Sequence, residues 1–99
     1  MAVVLKMRWA GVTPEHYEAV REAVRWEEQP PEGLALHVAS FDADAMYVTD
    51  VWNSPQDWET FFAERLRPAV EKAGLPGRPD SDLLPLHRRF VAPGVSGGA

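Results

Sequence analysis

The sequence predicts an α+β fold, a ferredoxin-like βαββαβ sandwich with a four-stranded antiparallel sheet carrying two helices on one face. Three observations carry this prediction. Val3, Leu5, Met7 and Trp9 alternate with Val4, Lys6 and Arg8, the two-residue period of a strand with one apolar face. Two segments, each opened by a proline at Pro14 and Pro55, change to spacings of three and four, the period of an amphipathic helix. Between them, Leu34–Phe41 and the stretch through Trp52 are separated only by a tight turn, so they pair as a hairpin.

The first strand stops at Gly11-Val12. Thr13 then serves as N-cap, Pro14 fills a first position whose missing N–H has no partner to lose, and Glu15 lies in the positive first turn. Tyr17, Val20, Ala23 and Val24 form the buried face of this helix. Glu15, Glu18, Arg21, Glu22 and Arg25 cover the other side, and His16 faces solvent. Gln29-Pro30-Pro31-Glu32-Gly33 cannot continue a helix and reads as a loop.

Leu34–Phe41 is the second strand and Asp42-Ala43-Asp44-Ala45 a turn. The organising stretch of the chain follows, Tyr47–Phe62, in which a β-branched and aromatic strand runs through a capped corner into a helix. With Ala43-Asp44 as a two-residue turn, counting outward places Phe41 opposite Met46, Ala39 opposite Val48, His37 opposite Asp50 and Ala35 opposite Trp52. A slip of one residue would pair His37 with Thr49 instead.

Ser54 caps the second helix and Pro55 opens it; Trp58, Phe61, Phe62, Leu66, Ala69, Val70 and Ala73 form its apolar stripe. Pro68 removes a backbone donor, which predicts a kink or restart near Arg67, and Gly74 ends the helix. Asp82–Val91 reads as a last strand in which Pro85 demands an edge position or a bulge. Residues 93–99 have too little apolar surface to order themselves, so the chain divides into a domain over 1–92 and a disordered tail.

With 99 residues, of which 45% are hydrophobic and 25% charged, the chain is an ordinary globular domain. A domain this size buries only roughly 60–65% of its unfolded surface, so a partner subunit would add burial. The net charge of −5 and the lack of a basic stripe argue against nucleic acid as a partner. The sequence has no cysteine, which excludes disulfides, thiolate metal sites and cysteine nucleophiles. The opening MAVVLKMRW is too short and too soon charged for a signal peptide or a membrane span, so no membrane partner is expected and the expected compartment is the cytoplasm.

His37 and Asp50 are the candidate catalytic pair. A carboxylate orients an imidazole and raises its basicity, and the imidazole can then take an acidic proton from a substrate. The same pair could equally do no more than satisfy two polar groups on a partly buried face. Trp52 shares the His37 face and is placed to line a cavity. Trp58 belongs to the core, and Trp9 and Trp26 to the core or to a subunit contact. His87 and Arg89 lie on one side of the last strand, where they either complete a polar cluster or face solvent. Arg65 interrupts the second helix's apolar stripe, where it snorkels or pairs at an interface. Two histidines and an aspartate have the composition of a non-haem metal site, but they lie on three strands without ligand spacing, and neither metal nor cofactor is expected.

The run Asp50-Val51-Trp52-Asn53-Ser54, followed by Trp58, Phe61 and Phe62, resembles the dimeric α+β barrel superfamily. Within it the chain is most similar to small proteins of the antibiotic-biosynthesis-monooxygenase type, over Val3 to Phe90. The resemblance implies a homodimer whose sheets pack into a barrel, with a pocket in each subunit between sheet and helices or within the barrel. Such proteins include cofactor-independent oxygenases of electron-rich polycyclic phenols, haem-degrading enzymes and isomerases. The haem-degrading branch uses an Asn near the first strand and a His on the second helix, and this chain has neither. The oxygenase branch relies on a Trp, an Asn, a Tyr and an Arg around the substrate, which the resemblance carries onto Trp52, Asn53, Tyr47 and Arg89. Three functions remain open: a cofactor-independent monooxygenase or isomerase acting on an aromatic or polyketide-like molecule, a non-catalytic small-molecule binder, and a self-association module.

Overall fold

The computed structural model describes residues 1–97; positions 98 and 99 of the expected tail lie outside the described residues. Strand β1 (Val3–Ala10) leads to helix α1 (Pro14–Val24), the hairpin β2 (Leu34–Phe41) and β3 (Ala45–Trp52), helix α2 (Pro55–Phe61), a π-helical turn (Phe62–Leu66), helix α3 (Arg67–Ala73) and strand β4 (Asp80–Pro85). The sheet order is β2-β3-β1-β4 with every neighbour antiparallel, the ferredoxin-like arrangement expected. Val3, Leu5, Met7 and Trp9 of β1 face the helices beside Met46, Val48, Asp50 and Trp52 of β3. Among the described residues no helix is long and apolar enough to cross a membrane.

The hairpin register is the expected one from the turn inward: Phe41 opposes Met46, Ala39 opposes Val48 and His37 opposes Asp50. Its cause is local. Asp42 Oδ1 accepts the backbone N–H of both Asp44 and Ala45 at 2.8 Å, so the aspartate side chain closes the turn itself. At the far end a bulge between Leu34 and Leu36 makes Leu34, not Ala35, the partner of Trp52. The extra residue returns Leu34 to the cavity side, while Leu36, next to the cavity-facing His37, stays on the open face by alternation.

Thr13 Oγ1 caps α1 by accepting from the His16 N–H, and His16 Nδ1 accepts the Thr13 N–H in return, so His16 is part of the cap and not a free solvent residue. The second helix restarts at Arg67 as expected, after a π-helical turn that was not expected. Pro68 cannot donate to the turn before it and its ring crowds that turn; the chain answers with the wider π turn at Phe62–Leu66 and resumes as α3 at Arg67. Gly74, at φ 72°, ends α3 as expected. Arg65 lies over the Phe61 ring and donates from Nη2 to the Val24 carbonyl at 2.9 Å, tying the π turn to the end of α1.

The last strand is Asp80–Pro85, shifted from the expected Asp82–Val91. Pro85 opposes Val3 as the final rung on this edge, and after the Leu86 N–H reaches the Ala2 carbonyl the chain leaves the sheet. His87 and Arg89 therefore lie beyond β4, exposed.

Candidate functional site

Among the described residues Asp50 is the one charged residue buried, with 4% of its surface exposed. A carboxylate there is tolerable only if both oxygens are satisfied. Oδ1 lies 2.7 Å from His37 Nδ1, and Oδ2 accepts the Trp52 indole N–H at 3.1 Å. His37 Nε2 lies in turn 2.8 Å from the Tyr17 hydroxyl. The proton order follows from what each group can do. An ionised carboxylate only accepts, so Nδ1 of a neutral imidazole carries the hydrogen; Nε2 then presents its lone pair, and the Tyr17 hydroxyl donates to it.

Three elements meet to make this chain. Tyr17 comes from α1, His37 from β2 and Asp50 with Trp52 from β3, at the same-face positions i and i+2 of one strand. Burial pushes the Tyr17 phenol up to about 12, with Glu18 and Glu27 adding to the rise, so its resting form is the neutral hydroxyl. Trp26 sets its ring edge-on to both partners, 5.6 Å from the Tyr17 centroid and 5.3 Å from that of His37.

The chain opens onto a cavity between sheet and helices that admits the centre of a water-sized sphere over about 70 Å³. Counting all non-atom space out to its mouth, the volume is about 620 Å³. Its walls are aliphatic and aromatic, from Leu5, Met7 and Val48 of the sheet to Trp58, Phe61 and Val70 of the helices. Tyr17, His37 and Asp50 interrupt them. Apolar walls with a few convergent polar atoms are the usual composition of a small-molecule site.

Of the residues expected to form a site, His37, Asp50 and Trp52 line this cavity together, and the other four do not. Asn53 is exposed at the corner, where its N–H donates to the Gly33 carbonyl at 2.7 Å. Tyr47 lies on the opposite face of the sheet, donating to Asp42 Oδ2 at 2.7 Å and accepting from Arg8 Nε at 3.3 Å. Tyr47 is an odd number of positions along the strand from both Asp50 and Trp52, so the pleat turns it away. His87 and Arg89 miss the cavity because β4 ends before them.

Tyr17 and Trp26 line the site without having been expected to. Tyr17 was legible as a buried-face residue, and the available signal was its hydroxyl: a buried phenol needs a polar partner, and His37 is the one in reach. Trp26 lies in an irregular loop, where periodicity gives no direction.

No family model and no curated protein matches this sequence. Solved structures match across nearly the whole chain. Rv0793 from Mycobacterium tuberculosis is 13% identical, with a TM-score of 0.67 over 91% of this chain and 100% of that one. A monooxygenase from the gene ActVA-Orf6 of Streptomyces coelicolor, in complex with nanaomycin D, is 18% identical, with a TM-score of 0.63 over 92% of each chain. SnoaB, a cofactor-independent oxygenase from Streptomyces nogalater, is 12% identical, with a TM-score of 0.61 over 93% of this chain and 96% of that one. The chain has the fold of these antibiotic-biosynthesis-monooxygenase-like structures.

Proposed function

We propose that this protein is a cofactor-independent monooxygenase of an electron-rich aromatic molecule, with the Tyr17–His37–Asp50 chain as its proton acceptor. The observation that carries the reading is a continuous hydrogen-bonded path from a phenol to a buried carboxylate, aimed into an otherwise apolar, aromatic-walled cavity. The neighbours described as monooxygenase and cofactor-independent oxygenase supply a precedent for such chemistry on this scaffold.

In this reading an acidic C–H or O–H of the substrate lies against the Tyr17 oxygen. As that proton moves to Tyr17, the phenol's own proton moves to His37 Nε2, and Asp50 balances the imidazolium formed. The phenol rests as the neutral hydroxyl, so in this reading it passes its own proton on as it accepts the substrate's. The substrate anion, held among apolar walls, gives one electron to dioxygen, and the resulting pair joins through a new C–O bond. Protonation gives a hydroperoxide. Loss of water across its C–H and O–O bonds leaves a carbonyl, so a CH2 group and O2 become C=O and H2O.

The open face of the sheet fits a second copy of the chain. Leu36, Val51, Val4 and Leu84 form one continuous row across all four strands; Val51 is already buried in the chain, and a homodimer would cover the exposed ends at Leu36 and Leu84.

Oxygen uptake tests the function. Purified protein with anthrone or a substituted hydroquinone is expected to consume oxygen, and His37→Ala is expected to lower the rate by about 10²- to 10⁴-fold. Uptake unchanged in His37→Ala, or none with any such substrate, would overturn the reading.

A further inference from the structure

The cavity is too small for the molecules its chemistry suits. Its roughly 70 Å³ is under half the roughly 150 Å³ in which a protein core holds benzene, so entry of even one substituted ring requires a wall to move. The sheet wall is a paired ladder on both sides of β1 and β3. The α2–α3 wall is tied to α1 by Arg65. Two wall residues are carried by irregular segments, Leu75 after α3 and Trp26 between α1 and β2, and of these Trp26 is the one that packs on Tyr17 and His37.

That segment is a turn anchored at both ends and closed by the Gln29 N–H on the Arg25 carbonyl at 2.8 Å, the unit that would carry Trp26 aside. At one end Arg25 takes the left-handed conformation at φ 60°, one that residues other than glycine adopt at a cost. At the other, Gly33 sits at φ 86° with Asp57 packed where a side chain would be, and its carbonyl is held by Asn53. Between these points Glu27 to Pro30 are exposed. The side-chain ties are surface ion pairs, Arg21 with Glu27 at 2.8 Å and Arg25 with Glu28 at 3.1 Å, of a kind water and salt weaken readily.

We propose that Trp26 is the specificity-determining gate of this site: its indole closes the Tyr17–His37 end of the cavity, and its displacement, resisted by the Arg21–Glu27 pair, sets how many fused rings are admitted. The proposal rests on the oxygenase reading for the kind of molecule admitted, but not for the gate itself. Trp26 packs at 63° against both Tyr17 and His37, with centroids 5.6 Å and 5.3 Å away, so a fused ring laid against the hydroxyl would compete with the indole for the same end of the cavity. Closing again over the bound molecule would return water exclusion to the site.

The test measures binding separately from turnover. Phenol, 2-naphthol and 2-hydroxyanthracene serve as one-, two- and three-ring probes, with association followed by stopped flow on the naphthol and anthracene fluorescence and by calorimetry for phenol. Trp26→Ala is expected to raise the association rate and affinity for all three probes, by about tenfold or more for the three-ring probe and least for phenol. Should Trp26→Ala fold poorly by circular dichroism, Trp26→Phe and Glu27→Gln carry the test. Trp26→Phe is expected to shift the ring-size preference in the same direction, and Glu27→Gln to speed association and abolish its acceleration by added salt. Equal ring-size selection in wild type and the Trp26 variants, or failure of all three probes to bind either protein, overturns the gate. Altered selection without oxygen uptake by any variant leaves the gate standing and overturns the oxygenase.

Discussion

On the helix-covered face of the sheet, Asp50 and His37 sit among Leu5, Met7, Val48 and Trp52; on the open face, the apolar row Leu36, Val51, Val4 and Leu84 gives way two rungs on to Ser40, Tyr47, Arg8 and Asp80. Each face thus carries the wrong polarity for its surroundings, a carboxylate in the core and leucines toward water. The difference lies in how each is compensated. Asp50 is fully partnered within the chain, by His37 and Trp52. Leu36 and Leu84 remain 42% and 48% exposed, with no compensation inside the subunit. The buried charge is satisfied by the chain itself, whereas the apolar ends at Leu36 and Leu84 are left where a partner would add burial.

The largest effect tests the covered face. Asp50→Ala leaves the His37 Nδ1–H and the Trp52 indole N–H without their acceptor in a nearly dry site, which is expected to cost about 2–4 kcal/mol in urea unfolding. Asp50→Asn keeps an acceptor oxygen and should lose less. An unfolding midpoint unmoved by Asp50→Ala would mean that the carboxylate does not organise this face.

The open face should respond in association and not in folding. Leu36→Lys and Leu84→Lys place charge in the row at positions already exposed in the subunit. Each is expected to remove about 1–2 kcal/mol of apolar contact between subunits, weakening dimerisation by roughly tenfold, read by sedimentation equilibrium, with the subunit's melting little changed. A wild-type protein that sediments as a monomer at micromolar concentration would remove the contrast between the faces.

The covered face was the more legible of the two in the sequence. Strand alternation and the Asp42-Ala43-Asp44-Ala45 turn were enough to bring His37 opposite Asp50, because both signals are local and a two-residue turn leaves few registers. The bulge at Leu34–Leu36 was hidden, since one extra residue leaves no mark in a run of leucines and alanines. Tyr47, His87 and Arg89 have suitable chemistry, but strand parity turns Tyr47 to the other face and β4 ends at Pro85, before the other two. Tyr17 required knowing which way α1 lies on the sheet, a tertiary fact. The π turn was half legible: Pro68 announces a disturbance, but whether it bends or widens depends on the packing of Phe61, Phe62 and Leu66 on the strands beneath.

A smaller effect follows from Tyr17. Its phenol ionises near 10 when unfolded but only at about 12 in the fold, chiefly because of burial. The folded state therefore holds a proton that the unfolded chain has released. The stability that this supplies is fully present below pH 10 and lost as pH rises toward 12. Tyr17→Phe removes the group, so its urea midpoint should fall less steeply than that of wild type between pH 10 and 12. Parallel profiles over that window would mean that Tyr17 is solvated and not closed behind Trp26.

The smallest effect belongs to the open face, at Asp42, whose carboxyl is held below its usual 3.8 first by the Tyr47 hydroxyl and then by the N–H groups of Asp44 and Ala45. A lowered folded pKa means stability present above about pH 3.8 and lost as acid protonates the folded carboxylate. Asp42→Ala should thus be less stable than wild type at pH 7, with the gap closing below pH 4. The gap is small because water screens an exposed carboxylate, in contrast to Asp50, where burial makes each missing hydrogen bond count. If the Asp42→Ala gap were as wide as that of Asp50→Ala, or independent of pH from 7 down to 2, solvent exposure would not be what separates the two aspartates. The turn would then be a stronger organiser of the sheet than the buried pair.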